Sequence, residues 1–472
     1  MQQKLPDIKT SFSEWYLEVI RLAELADNAP VRGCMVIRPY GYAIWENIQK
    51  VLDAKIKETG HQNAAFPLFI PMSFLQKEAE HVAGFSPELA IVTHAGGKEL
   101  EEPLAVRPTS ETVIHYMFAQ WLRSWRDLPI KINQWCSVVR WEMRTRPFLR
   151  TTEFWWQEGH TAHETREEAL EEVLTMLNVY VDLVQNHLAI PVVAAQKPES
   201  ERFAGADATY TIEGLMQDGK ALQMGTSHMI SQNFAKSFNM MFQDRQGTQS
   251  YPHLTSWGVT TRLVGALIMT HGDQKGLVLP PAIAPYQIVI IPIIKGEHKE
   301  RVLAAAHQLV DQLKVRWRVI LDADENQTPG SKFYHWEIKG VPVRIEVGPR
   351  DLDQQSVMVV DRLGIAKEVV TLETLESHLT TLMTTLQKEI FNRAEQRRVQ
   401  QWHKIAKLSE HAQKLEIEGG FYQTGWCGSL ACENVVKEHK ATIRCVLDAH
   451  EFAHCFNCDA ESPRDILIAK AY

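Results

Sequence analysis

Apolar residues recur at helical spacing over 13–26, where Trp15, Val19, Leu22 and Leu25 share a face. A second such stripe, Ile44, Ile48, Val51, Leu52 and Ile56, predicts a helix over 43–59. Between them 33–39 reads as a short strand. The run AAFPLFIP over 64–71 is extended and apolar but broken by Pro67. Proline cannot donate to a ladder, so the run belongs at an edge or an interface. A helix followed by such an edge fits a subunit contact as well as it fits an ordinary surface. In AVRPTSETVI, Thr109 and Ser110 are cap candidates and Glu111 opens a helix to 125. Glu111 there either favours the helix dipole or faces a site.

The stretch 133–160, NQWCSVVRWEMRTRPFLRTTEFWWQEGH, breaks the apolar pattern most sharply. Residues 134–143 read as a buried strand, 144–149 as a basic loop with Pro147, and 151–157 as the return strand leading to Glu158 and His160. That places Arg140 and Glu142 on one face of a sheet. Charges on an apolar face need a partner or a charged ligand, so an internal Arg140–Glu142 pair and a ligand site both remain open. Further on, 163–188 predicts a long helix with an acidic outer side, read as structural. QMGTSH over 223–228 reads as a small-residue turn. Residues 256–271 begin as a turn and become a buried helix with Arg262 near its start, again a cation in want of an anion.

PPAIAP over 280–285 marks a domain boundary. Beyond it strand 287–294, helix 297–314, strand 317–321, loop and helix 328–339 and strand 341–347 alternate as in a compact βαβ domain ending near 386. Residues 388–414 carry Arg393, Arg397, Arg398, Lys404 and Lys407 at helical spacing, either a solvated connector or a basic rail for phosphates.

Composition narrows the classes. At 472 residues, two to three domains are expected, and 45% hydrophobic with 23% charged residues describes a globular chain. A net charge of −8 excludes a uniformly basic nucleic-acid binder but not a local basic surface. The N-terminus has no apolar h-region, and the apolar run 288–294 is broken by Pro292 and too short for a bilayer. Neither a signal peptide nor a membrane span is expected. Of seven cysteines, Cys427-x4-Cys432 and Cys455-x2-Cys458 form two close pairs, with Cys445 between them. In a chain without a secretion signal such pairs favour a tetrahedral, structural Zn2+ over disulfides, and buried free thiols are the alternative. The expected compartment is the cytosol.

Arg140-x-Glu142 with its basic loop, the helix and Pro67 before it and the late Arg262 resemble the three ordered motifs of class II aminoacyl-tRNA synthetases. CMVIRPYGYAIWE, AVRPTSET, QWCSVVRWE, PFLRT, WQEGH, ERFAGAD, GTSH, SWGVTTR, HGD, GLVLPP, KGVPVRIEVGPRDL and the split cysteine pairs resemble prolyl-tRNA synthetases of the archaeal and eukaryote-like type. The likeness runs along nearly the whole chain. It implies an α/β multidomain fold: a class II antiparallel sheet flanked by helices (1–282), a βαβ anticodon-binding domain (283–386), a basic linker helix (387–414) and a small zinc-bearing α/β domain (415–472). It further implies a homodimer that uses ATP with Mg2+ to charge tRNA(Pro) with L-proline. Between Glu142 and Arg262 there is no room for the large editing insertion of the bacterial type.

By the same resemblance Arg140 meets the α-phosphate and the proline carboxylate, with Arg150 and Arg262 nearer the triphosphate tail. Glu142, Thr151, Gln223, Thr226 and Thr260 complete the nucleotide site. Thr109 and Glu111 meet the imino nitrogen, while Trp156, Phe203 and His228 wall the ring and Glu158 lies behind them. Arg140, Glu142 and Arg262 are thus the catalytic candidates. Glu337 and Arg344 are the candidates for reading anticodon bases, unless they pair with each other, and Lys332 or Arg350 for phosphates. Cys427, Cys432, Cys455 and Cys458 would hold the zinc, and the terminal Tyr472 would approach the catalytic domain. Two rivals remain: an adenylating enzyme that loads a carrier protein, and an inactive tRNA-binding regulator. The anticodon-like domain argues against the first, and retention of Arg140, Glu142 and Arg262 against the second.

Overall fold

The computed structural model describes residues 4–81, 88–294 and 296–472. Alternation of β-branched and aromatic residues with small polar ones builds long antiparallel strands: β1 (Ile130–Val139), β2 (Glu153–His163), β3 (Val192–Gln196), β4 (Ala206–Leu215), β5 (Ala221–Ile230) and β6 (His253–Thr260). They run side by side in the order β3-β4-β5-β6-β2-β1, with Gln62–Asn63 closing the β1 edge. One face of this sheet is sealed by the helices α1 (Phe12–Leu22), α2 (Pro39–Glu58), α3 (Arg166–Asp182) and α4 (Arg262–His271), which share a core with Trp257 and Val259 of β6. Helix α3 starts at a capping box between Thr165 and Glu168, and its Val173, Met176, Leu177 and Tyr180 are buried. Gly159 is required where Trp257 crosses it: a Cβ there would lie 2.0 Å from the indole. Phe69–Pro71 is the edge of a separate three-stranded sheet with Lys98–Val106 and Ile91–Ala95, and Pro67 lies just outside it.

The second body is a five-stranded sheet of β7 (Ile288–Pro292), β8 (Val319–Leu321), β9 (Val343–Val347), β10 (Ser356–Asp361) and β11 (Lys367–Thr371), ordered β8-β7-β9-β10-β11. Helix α5 (Lys299–Leu313) connects the parallel strands β7 and β8, and α6 (Pro329–Ile338) connects β8 to β9. Ile288, Ile290, Val302, Val343, Ile345 and Leu379 form its core.

Helix α7 (Leu375–Gln400) leads into the C-terminal strands β12 (Trp402–Lys404), β13 (Phe421–Trp426), β14 (Thr442–Val446) and β15 (Arg464–Ala469), with helix α8 (Leu430–Glu438) between β13 and β14. These strands extend the first sheet. Val446 of β14 pairs with Gln196 of β3, so the C-terminal region shares one eleven-stranded sheet with the N-terminal region. Tyr472 ends on the same body, its hydroxyl donating to Asp218 at 2.6 Å.

Four expectations are corrected. The supposed turn 223–228 lies inside β5; Gly225 is there for packing, since a Cβ would come within 2.8 Å of Val259. The start of 256–271 is strand β6, and the helix begins only at Arg262. Arg140 and Glu142 lie beyond the end of β1, although Arg140 N–H still bonds the Thr152 carbonyl at 2.8 Å. The basic helix placed over 387–414 is the end of α7, which stops at Gln400 because 402–404 leave to pair with β13. Its three arginines are engaged: Arg393 pairs with Glu389, Arg398 with Glu395, and Arg397 donates to the Thr270 carbonyl. Among the described residues no helix is long and apolar enough to cross a membrane.

Candidate active site

The free face of β2, β4, β5 and β6 carries an open cavity of about 480 Å3. Thr109, Glu111, Arg140, Glu142, Arg150, Thr151, Trp156, Glu158, Phe203, Gln223, Thr226, His228, Thr260 and Arg262 all line it, drawn together from positions spread over about a third of the sequence.

Its deepest corner is polar and nearly closed. Glu158 accepts from Gln134 Nε2 at 2.8 Å, from the Ser110 hydroxyl and from the Cys136 thiol at 3.4 Å, and its other oxygen faces His160 Nε2 at 3.1 Å. Burial works against the Glu158 charge, but His160, Ser110 and Gln134 prevail and hold its carboxyl below the usual range. Burial likewise opposes protonation of His160, and the hydrogen bond to Glu158 with the charge of Glu111 outweighs it, raising the imidazole. Glu158 is therefore satisfied within the protein. Glu111 differs: it accepts from Thr109 Oγ1 and turns into the cavity.

Above this corner stand aromatic walls. Trp156 is fixed by its indole N–H, which donates to Cys136 Sγ at 3.2 Å. Phe203 lies against His228, ring centres 4.8 Å apart. Thr209 Oγ1 bridges the two, accepting from Phe203 N–H at 3.0 Å and lying 3.0 Å from His228 Nδ1. Burial, then the cations His160 and Arg140, pushes His228 down to about 3, so it is a neutral wall. Arg140 Nε donates to the Pro108 carbonyl at 3.0 Å, and its guanidinium lies 5.5 Å from both the Phe154 and Trp156 rings. Among the described residues no carboxylate lies within ion-pair distance of Arg140. The internal Arg140–Glu142 pair does not form; Glu142 instead faces Arg150 at 3.6 Å and caps the Arg144 N–H.

Arg262 is anchored by carbonyls, donating to Leu149 at 3.1 Å and Gln223 at 3.2 Å. Burial, with Arg150 and Arg140 nearby, draws it down to about 10, still cationic at neutral pH. The three arginines thus share one cavity, where among the described residues Glu142 is the one carboxylate within ion-pair distance of any of them, a field that suits a polyanion. Pattern reading passed over Ser110, Gln134, Cys136, Phe154, His160, Lys197 and Arg202 as site residues. Ser110 and Gln134 read as a cap and a strand residue; the register of β1 against β2 sets Gln134 opposite Glu158, and Ser110 reaches the same carboxylate from the start of the helix Glu111–Trp121.

Two other groups lie apart. Glu337 pairs with Lys275 at 2.9 Å, and Arg344 pairs with Glu346 at 2.9 Å while covering the Phe333 ring at 4.1 Å, so the two do not pair with each other. Lys332 is withdrawn as a phosphate contact: it is buried, its Nζ donating to the Asp322 carbonyl at 2.9 Å. Arg350 is exposed. The sulfurs of Cys427, Cys432, Cys455 and Cys458 all lie within 4.8 Å of one another, with Cys427 3.8 Å from Cys432 and 3.6 Å from Cys458. A tetrahedron of thiolates around Zn2+ at about 2.3 Å has sulfurs about 3.8 Å apart, so the donor set fits. Asn457 Nδ2 donates to Cys432 Sγ at 3.5 Å, as a supporting neighbour of a metal ligand does.

Residues 92–271 match the class II tRNA synthetase core domain of the G, H, P, S and T group, 287–382 an anticodon-binding domain, and 408–472 the prolyl-tRNA synthetase C-terminal domain. The chain is 51% identical to a proline–tRNA ligase of Alkaliphilus oremlandii over 100% of its own length and 98% of that protein. To the same enzyme of Borreliella burgdorferi it is 50% identical, over 98% of each. Among solved structures, prolyl-tRNA synthetase of Cryptosporidium parvum with L-proline and AMP superposes with a TM-score of 0.92 at 41% identity, covering 99% of both chains. A second structure of that enzyme, with halofuginone and AMPPNP, gives 0.93 at 42% identity over 99% of both chains. A class II core bearing this cavity, an anticodon-binding body and a prolyl-type C-terminal region, aligned end to end with such relatives, establish that the chain belongs to the prolyl-tRNA synthetases.

Proposed function

We propose that the cavity activates L-proline with ATP and passes the prolyl group to the 3′ end of tRNA(Pro). The single observation that carries this reading is Arg140, a cation with no carboxylate within ion-pair distance among the described residues, set between an acid-and-aromatic corner and two further arginines. Proline and ATP are both anionic where they must react. A fixed guanidinium between them lowers the repulsion and stabilises the charge that builds on the α-phosphate.

ATP enters as its Mg2+ complex, its tail toward Arg150 and Arg262 and its nucleoside end among Glu142, Thr151, Gln223, Thr226 and Thr260. The proline ammonium meets Glu111 and Thr109, its ring meets Trp156, Phe203 and His228, and its carboxylate turns to Arg140. Glu158 serves from behind by holding Ser110 and His160 in place. A carboxylate oxygen attacks the α-phosphorus, the bond to the β-phosphate oxygen breaks, and pyrophosphate leaves. A hydroxyl at the tRNA 3′ end then attacks the acyl carbon and AMP leaves. No side chain acts as nucleophile. The ring pocket separates near-isosteres weakly, because one methylene changes binding by only about 1–3 kcal/mol.

The domain limits proposed are 1–282, 283–386, a connector around α7, and 415–472. Glu337 and Arg344 read anticodon bases by their edges. The four cysteines hold a structural Zn2+, which contributes folding energy to the C-terminal strands and no chemistry to the cavity. Exposed apolar Leu68, Phe69, Ile91 and Trp141 on neighbouring segments support a homodimer. The residues between Glu142 and Arg262 are taken up by β2 to β6 and α3, which supports the archaeal and eukaryote-like type; the enzyme is proposed to work in the cytoplasm. ATP–pyrophosphate exchange measured with each amino acid in turn tests the reading: exchange should be greatest with proline, and exchange driven equally by unrelated amino acids would reject it.

A further inference from the structure

The segment 197–205 supplies Lys197, Glu201, Arg202 and Phe203 to the cavity, yet it is held partly from outside the catalytic strands. Ser200 Oγ donates to Glu433 Oε2 at 2.7 Å. Glu433 is 1% exposed, directly follows Cys432 on α8, and takes Lys437 on its other oxygen at 2.8 Å. A buried carboxylate beside a metal-type cysteine thus reaches out to a loop whose next residues line the pocket.

A second tie lies at the sheet junction. Arg444 of β14 grips Glu213 of β4 with Nη2 at 2.9 Å and Nε at 3.1 Å. Glu213 is fully buried and also holds Lys197 Nζ at 3.1 Å, at the root of the same segment. Three buried charges are costly, and an apolar trio would serve stability as well; what they add is a fixed register. That register fixes where Lys197 leaves β3, and the segment's other end is fixed by the Phe203–Thr209 bond under the ring wall.

We propose that the four-cysteine C-terminal region is a positioning clamp for the amino-acid pocket, acting through Glu433 on Ser200 and through Arg444 on Glu213 and Lys197. The proposal rests on the reading of the cavity as the proline site. Glu433 and Arg444 touch no substrate; they set where Phe203 stands.

The test uses the full-length chain with metal content and melting temperature read in parallel. Ser200→Ala and Glu433→Ala are each expected to raise KM for proline about five- to tenfold, with kcat of exchange and KM for ATP within about twofold. The double variant should be no worse than either single one, and Glu433→Gln, which keeps an acceptor for Ser200, should stay near wild type. Amide hydrogen exchange over 197–205 should quicken in the two alanine variants and not in the glutamine one. An unchanged proline KM and unchanged amide exchange in Ser200→Ala, or effects that multiply in the double variant, would overturn the clamp. A wild-type chain without proline-dependent exchange would reject the reading of the cavity, and the clamp would still be decided by the amide exchange.

Discussion

Glu158 and His160 face each other at 3.1 Å, both almost sealed from solvent beneath the candidate proline pocket. The pair is an acid and a base whose protonation states each favour the other, which gives it a pH signature. His160 has a raised pKa, so its contribution to stability is complete below the ordinary 6.5 and fades as pH climbs through the raised value. Glu158 has a lowered pKa, so its contribution is complete above the ordinary 4.5 and fades as pH falls through the lowered value. The pair is strongest between the two. The melting temperature lost in His160→Gln should therefore be largest near about pH 5.5 and shrink toward about pH 9. A loss of equal size at both would show that His160 does not titrate against Glu158.

Arg140 occupies a place that substitution with lysine cannot restore, because its guanidinium is fixed by the Pro108 carbonyl while its plane faces Phe154 and Trp156. Arg140→Ala should cut proline-dependent ATP–pyrophosphate exchange about a hundredfold or more, and Arg140→Lys should recover little of it. The fold should be retained, since no ion pair of Arg140 with a described residue is lost. Exchange at the wild-type rate would remove Arg140 from the reaction.

Much of this site was legible before the fold was known, and the reason is local. Arg140, Glu142 and Arg262 stand out because charges in apolar surroundings demand a partner, and the two close cysteine pairs stand out by spacing. The second body was legible because strand and helix alternate there at short intervals. What escaped depends on contacts far apart in the chain. Strand β5 reads as a turn because Gly225, a poor strand former, sits among small polar residues, and packing against Val259 overrides that preference. The pairing of Val446 with Gln196, which carries the catalytic sheet into the C-terminal region, leaves no local trace at all. Ser110, Gln134 and Cys136 look unremarkable singly and become a set only around Glu158.

Cys427 offers a different dissociation of effects. Its sulfur stands 3.8 Å from Cys432 and 3.6 Å from Cys458, so loss of one thiolate leaves three ligands around a divalent ion. Cys427→Ser should lower bound zinc from about one per chain to a small fraction and lower the melting temperature. The rate of the chemical step at saturating proline should change far less. Zinc measured by mass spectrometry on purified protein checks the first part, and an unchanged content would remove the four cysteines as a metal site.

Arg344 separates recognition from activation. It sits on β9, tied to Glu346 at 2.9 Å and laid over Phe333 at 4.1 Å, so its guanidinium is oriented before any RNA arrives. An arginine held in this way can offer two parallel N–H groups to a guanine edge, and loss of such a contact costs about 1–3 kcal/mol of discrimination. Arg344→Ala should therefore leave proline-dependent exchange intact, raise KM for tRNA in the charging reaction, and narrow the gap between a native transcript and one with an anticodon guanine replaced. A purely structural Arg344 gives another pattern. Removing its cover from Phe333 would then lower the melting temperature and weaken both transcripts alike, with the gap between them preserved. Charging assays on the two transcripts, with and without the substitution, distinguish these outcomes, because only a residue that touches the base loses the difference along with the affinity.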